Sequence, residues 1–457
     1  MRSALSLALL LAVPAAAQQA AEPTPYQRAI AAGYKALTMC SAIFNARRTE
    51  AQVEADELRG IYPEYNAIVP TLTAEVKQAE GRVFVSWSAS MPPREAIWNQ
   101  GTGCTIRPIG TGGELLVRAD APSHPDEGPA RPDPRPWPEG DAGIAPRSTS
   151  ALAATVSRAF DATTYGSGSN TVGVVVLRDG KVVAERYRDG FGPFTSNRTW
   201  SVAKSLAGAL VGIAQHQGLL GVLQPASIPE WDGPRGDPRA LITTDQLLRM
   251  SSGLHSATAG NRTDAIYFGG TAVTEQATGW PLEARPGARF RYANNDTLLA
   301  VRGLRAKLGE ERYRDFPARE LFAKLGMTHT VAETDWRGNY VLSSQVWSTA
   351  RDLARFGQFM LQDGVWQGQR LLPRGWMAES TKPTGPQPEN GPGYGRTLWL
   401  FGPKQGLPEG SYAAQGNRGQ YIMVIPSERL VVVRRGEDPH GARFDIARFT
   451  SDVIKAR

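Results

Sequence analysis

The sequence predicts an α/β fold in which one antiparallel sheet is closed by hairpins from the two ends of its main domain. Helices flank that sheet, and a small α+β unit precedes it. Three observations carry the prediction. "NTVGVVVLRDGKVVAERYRDG" reads as two β runs joined at Asp179-Gly180, a residue pair that favours tight hairpins. "GQYIMVIPSERLVVVRRG", far downstream, reads as a second hairpin turning at Pro426 to Arg429. Helical and loop segments fill the interval, so strands from both ends meet and helices cover them.

The elements follow in chain order. "MRSALSLALLLAVPAAAQQA" has Arg2, an apolar core from Ala4 to Val13, and small residues at Ala15-Ala16-Ala17. This is the form of a signal peptide over 1–17, cleaved after Ala17, and it predicts a periplasmic or secreted protein. About a dozen apolar residues are too few to span a bilayer, and no later run is long enough, so no membrane span is expected. Residues 24–118 read as a small α+β unit. One or two helices come first, then the strand-like "TLTAEVKQ" and "RVFVSWSA" with "QAEG" as their turn. Residues 119–147 are too rich in proline for helix or central strand and read as an extended linker or surface strap. Residues 148–457 form the main domain, ending in a helix-like piece from Ala442 to Lys455.

The chain has 457 residues and a formal charge of +7, with Lys and Arg scattered and no basic aromatic stripe. Nucleic-acid binding is therefore not expected. The two cysteines, Cys40 and Cys104, both lie in the exported portion. In an oxidising compartment they are candidates for a disulfide, the alternative being two separately buried thiols.

Chemistry enters at "TWSVAKSLAGALVGIAQHQGLL". Val202, Leu206, Leu210 and Ile213 have helical spacing, and the alanines and glycines between them suit packing from several sides. A lysine is out of place there, because a buried ammonium costs several kcal/mol unless it is paired or loses its proton. Ser201 and Lys204 are three apart and share a face. A desolvated lysine of lowered pKa can take the serine proton near neutral pH. Free N–H groups at the helix start favour charge on a developing oxyanion. His124, His216, His255, His329 and His440 are dispersed and none has the neighbours of a base or metal ligand. No G-x-S-x-G, H-E-x-x-H or phosphate-loop motif is present. No metal or cofactor is expected.

S-x-x-K alone is a weak signal, but it has company. "SVAKSLAGALVGIA", "ITTDQLLRMSSGL", "RYANNDTLL", "STARDLARFGQFMLQDGVWQGQRLL" and "GNRGQYIMVIPSERLVVV" occur in that order. On these motifs, the chain from about 148 onward resembles the class C β-lactamase and penicillin-binding-protein-like serine hydrolases, closest to their 6-aminohexanoate-dimer hydrolase branch. The resemblance implies the β-lactamase/transpeptidase-like fold with a helical subdomain. It implies Ser201 as the acylated nucleophile, Lys204 as its proton partner and Tyr292 of the Y-x-N motif as the relay. Asn294 would orient substrate or Lys204, while Gly416 and the backbone N–H of Asn417 would complete the oxyanion pocket. The family's K-T-G is here Ala414-Gln415-Gly416, without its lysine. Arg418 stands next to it, as a substitute clamp or as a solvated surface charge. The expected function is hydrolysis of a small linear amide or carboxylic ester through an acyl-serine. The competing readings are a β-lactamase or D,D-peptidase, and a silent penicillin-binding-like envelope module.

Overall fold

β-Branched residues on a two-residue period explain how one sheet divides the main domain into two cores. A computed structural model describes residues 22–112, 132–146, 148–233, 236–256 and 263–456. Residues 1–17, expected as a signal peptide, together with His124 and the first part of the proline-rich stretch, lie outside the described residues. The main sheet has seven antiparallel strands in the order Gly393–Tyr394, Trp399–Phe401, Ser411–Gly416, Gln420–Ile425, Leu430–Gly436, Thr171–Arg178 and Lys181–Tyr187. The two expected hairpins thus lie side by side, with Val432 opposite Val176 across their junction. Val175, Leu177, Ile422, Val424, Val431 and Val433 face one core. Val174, Val176, Met423, Ile425 and Val432 face the other. Fully burying each such side chain contributes about 1.5–3 kcal/mol.

The second core is closed by the helices Ser150–Arg158 and Ile446–Lys455, through Leu152, Val156, Phe449 and Val453. The first is covered by the helix Ala350–Leu361, which lies so close that a Cβ on Gly357 would stand 2.5 Å from Val431. Against the strands Ser411–Gly416 and Gln420–Ile425 of the same face runs the central helix, Val202–His216. Its small residues are required by space, since a Cβ on Gly208 would meet Thr397 at 2.5 Å and one on Gly212 would meet Trp376 at 2.7 Å. The helix Asn294–Tyr313 packs beside it and leaves helical geometry at Gly309, where φ is +72°.

The N-terminal region holds the capped helix Pro25–Cys40 and an antiparallel four-stranded sheet, Ala74–Lys77, Arg82–Val85, Arg94–Asn99 and Gly103–Ile106. Thr24 caps the helix by accepting from the Gln27 backbone N–H, with the Gln27 side chain returning the bond. Cys40 and Cys104 are joined by a disulfide with Cα atoms 6.1 Å apart. This region has its own sheet but not its own core, because its buried side chains are continuous with those around the central helix. Gly33 lies against the Phe268 carbonyl, with a prospective Cβ only 2.0 Å from its oxygen. Ser41, Asn45 and the Cys104 backbone N–H all donate to Glu333 Oε1. The described end of the proline-rich stretch is a strap. Trp137 donates to the Gly180 carbonyl at 2.9 Å, and Arg355 holds the carbonyls of Pro138 and Gly140 and the carboxylate of Asp141.

Candidate active site

The chain enters the central helix under strain. The short strand Asn197–Arg198 pairs with Val346–Ser348, and the Thr199 N–H continues that ladder to the Val346 carbonyl. Trp200 then takes a left-handed φ of +50°, which costs a non-glycine residue about 1–3 kcal/mol. The Arg198 guanidinium, 3.8 Å from the centre of the Trp200 ring, holds it there. Ser201 follows at the mouth of the helix in right-handed geometry, and the helix proper starts at Val202.

One turn on, Lys204 is only 1% exposed. Its Nζ lies 3.0 Å from Ser201 Oγ, 2.6 Å from Asn294 Oδ1 and 2.8 Å from the Ser343 carbonyl oxygen. No carboxylate is in that set. Burial lowers the amine from its ordinary value to about 7. A neutral amine has two hydrogens and one lone pair. In that form, with Asn294 Oδ1 and the Ser343 carbonyl accepting the two hydrogens, the lone pair is free to accept from the Ser201 hydroxyl.

Tyr292 approaches the same serine from the start of the second helix. Its hydroxyl hydrogen-bonds with the Ser201 side chain, and burial pushes its pKa up to about 12, so the phenol keeps its proton at neutral pH. Its ring is 5.1 Å from Lys204 Nζ and is held by Trp399 at 5.4 Å and edge-on by Tyr394 at 5.9 Å. Asp296, one turn into that helix, anchors the "MSSG" loop by accepting from Ser252 Oγ at 2.8 Å. That carboxyl is raised to about 7 by burial.

The strand Ser411–Gly416 closes the other side. At Gly416 φ is −139° and ψ 159°, which any residue could adopt. Space is what excludes a side chain: a Cβ there would stand 2.4 Å from the Thr199 carbonyl oxygen and 3.0 Å from the Ser201 nitrogen. Asn417 comes next and is exposed. The structure corrects both readings of Arg418. It is 7% exposed, so it is no surface charge. All three nitrogens of its guanidinium also bond to protein groups, so it is held as a structural tie rather than as a substrate clamp. Nε donates to Glu437 at 2.9 Å, and the two terminal nitrogens donate to the carbonyls of Arg59 at 2.8 Å and Asp56 at 2.9 Å.

Of the residues expected at the site, Ser201, Lys204, Tyr292 and Asn294 converge on one another, and Gly416 abuts the Ser201 backbone. Two neighbours had no sequence signal. Ser343 acts through its backbone carbonyl, which any residue supplies. Trp200 is marked only by its φ. Ser205, one residue beyond Lys204, instead donates to the Thr397 carbonyl at 2.6 Å. Among the described residues no group of three or more His, Cys, Asp or Glu is placed to hold a metal ion. No described helix is long and apolar enough to cross a membrane.

Known proteins share this arrangement of strands and helices. Residues 156–453 match the family model described as Beta-lactamase. The chain is 30% identical to the 6-aminohexanoate-dimer hydrolase of Paenarthrobacter ureafaciens over 308 residues, 58% of this chain and 72% of that protein. A solved structure from Bacillus anthracis, assigned as a 6-aminohexanoate-dimer hydrolase, superposes with a TM-score of 0.53 at 22% identity, covering 62% of this chain and 78% of that one. EstCE1, a hydrolase with promiscuous acyltransferase activity, gives a TM-score of 0.54 at 16% identity, covering 67% of this chain and 98% of its own. These last two show a shared fold.

Proposed function

The chain belongs to the beta-lactamase family as a serine hydrolase, and from that premise we propose that it cleaves a small linear amide or carboxylic ester through an acyl-enzyme on Ser201. The observation that carries the reading is the position of Lys204: buried, without a carboxylate partner, lowered to about 7, and 3.0 Å from Ser201 Oγ.

The neutral amine takes the Ser201 proton as Oγ attacks the carbonyl carbon. The carbonyl oxygen gains charge beside the Ser201 and Asn417 backbone N–H groups. As the bond to the leaving amine or alkoxide breaks, the Tyr292 phenol gives it a proton and recovers one from Lys204. Water then enters in place of the leaving group and attacks the acyl carbon as it gives a proton to the same pair; the bond to Ser201 Oγ breaks, Oγ takes that proton back and the acid is released. Asn294 and the Ser343 carbonyl keep the Lys204 lone pair aimed at Ser201. Retention of this full set, together with the hydrolase relative, disfavours the silent envelope module.

The substrate class follows from charge. Ala414 and Gln415 offer no cation, and Arg418 is bound to Glu437 and the Asp56 and Arg59 carbonyls. A carboxylate beside the reacting carbonyl, as in a cephalosporin, therefore lacks its charge-assisted hydrogen bond, which contributes about 1.5–3 kcal/mol. The Paenarthrobacter relative is named for hydrolysis of the 6-aminohexanoate dimer. The leader-like composition of residues 1–17 and the Cys40–Cys104 bond support action outside the cytoplasm. The test is a panel of p-nitrophenyl acetate, 6-aminohexanoate dimer and a chromogenic cephalosporin. Turnover of the ester or the amide is expected, with cephalosporin kcat/KM lower by about 10- to 100-fold. A cephalosporin that proves the best substrate refutes the assignment.

A further inference from the structure

The segment Asp56 to Tyr62 of the N-terminal region touches both backbone turns that frame Ser201. Arg418 donates to the carbonyls of Asp56 and Arg59, which ties the segment to the turn after Gly416. Arg418 itself has a left-handed φ of +55°, so this turn is strained and held by those bonds. The Gly60 carbonyl accepts from the His440 backbone N–H at 2.7 Å, which fixes the segment's far side. At its end stands Tyr62. Its ring meets that of Trp200, the residue before Ser201, edge to face at 6.0 Å. Its hydroxyl is 3.5 Å from Asn417 Nδ2. The side chain is half-buried, with one part packed and one part open.

We infer that Tyr62, delivered by the N-terminal region, bounds the acyl side of the substrate pocket and determines which acyl groups the hydrolase accepts. The inference rests on the assignment of Ser201 and Tyr292 above. Three directions leave the attacked carbonyl carbon besides the bond to Oγ. The oxygen points to the Ser201 and Asn417 N–H groups. The leaving group points to the Tyr292 phenol, whose ring lies with Tyr394 and Trp399. The acyl substituent takes the remaining direction. Tyr62 packs on Trp200 and reaches Asn417, so it flanks the two residues beside the oxyanion donors, and its ring contact is with Trp200 whereas that of Tyr292 is with Tyr394 and Trp399. A phenol there leaves room for a short, slender acyl chain and presents a hydroxyl to it. The N-terminal region is then part of the active site rather than an appendage.

The experiment compares p-nitrophenyl acetate, butyrate and octanoate on full-length mature protein carrying Tyr62→Ala or Tyr62→Phe. Removing the ring should raise the octanoate-to-acetate ratio of kcat/KM about tenfold or more, chiefly through KM. Tyr62→Phe keeps the ring and should keep the parent ratio within about twofold. Thermal melts establish that both variants fold. A Tyr62→Ala ratio within twofold of the parent overturns the inference, as does an equal fall on all three esters, which a merely structural role would give. A parent protein that is not acylated on Ser201 would instead overturn the underlying assignment, so the two failures are distinguishable.

Discussion

Lys204→Ala should slow acylation of Ser201 by about 10²–10⁴-fold, the range that a positioned general base supplies. The variant should remain folded, because the lost group is a desolvated amine with small neighbours. The same lysine sets the pH dependence. Burial favours its neutral form and lowers its pKa from 10.5 to about 7. Below that pH the amine is an ammonium and cannot accept the serine proton. Kcat/KM for a neutral ester should therefore fall about tenfold per pH unit on the acid side of 7 and level off above it. Tyr292, raised to about 12, adds no break in the neutral range. Lys204→Arg keeps a charge at every working pH and should be as inactive as the alanine variant. A profile flat from pH 5 to 8 would show that another group is the base.

Gly416→Ala adds a single methyl group and should lower kcat by about 10²–10³-fold, the cost of losing one oxyanion donor. The new Cβ would stand 2.4 Å from the Thr199 carbonyl oxygen, a backbone atom that cannot rotate away. Thr199 is pinned by its bond to Val346, so the strand must retreat and carry the Asn417 N–H with it. Backbone dihedrals give no other reason for glycine here, since the residue is extended. Steady-state rates with p-nitrophenyl acetate, alongside a thermal melt, check this. A rate within about threefold of the parent would place the oxyanion pocket elsewhere.

What could be read in the sequence follows the range of the interactions. The two hairpins are local, and period-two alternation with Asp179-Gly180 at a turn specifies them without outside help. Ser201 and Lys204 are local too, three residues apart on one helix. Tyr292 and Asn294 lie some ninety residues away, and only the motif resemblance joined them to the pair. The Ser343 carbonyl was invisible because a backbone oxygen leaves no trace in residue type. The burial of Arg418 is illegible for a related reason. Its partners are two carbonyls about 360 residues earlier in the chain and the carboxylate of Glu437, so nothing nearby announced its burial. Nothing in the sequence marks Tyr62 either, because its contacts with Trp200 and Asn417 join residues far apart in the chain.

The most direct test of the assignment of Ser201 is to treat the protein with a fluorophosphonate and map the adduct by mass spectrometry. One modified residue is expected, Ser201, with labelling abolished in Ser201→Ala and slowed below pH 7 as Lys204 takes up its proton. Labelling that survives Ser201→Ala, or that maps to Ser205, Ser251 or Ser252, would contradict it.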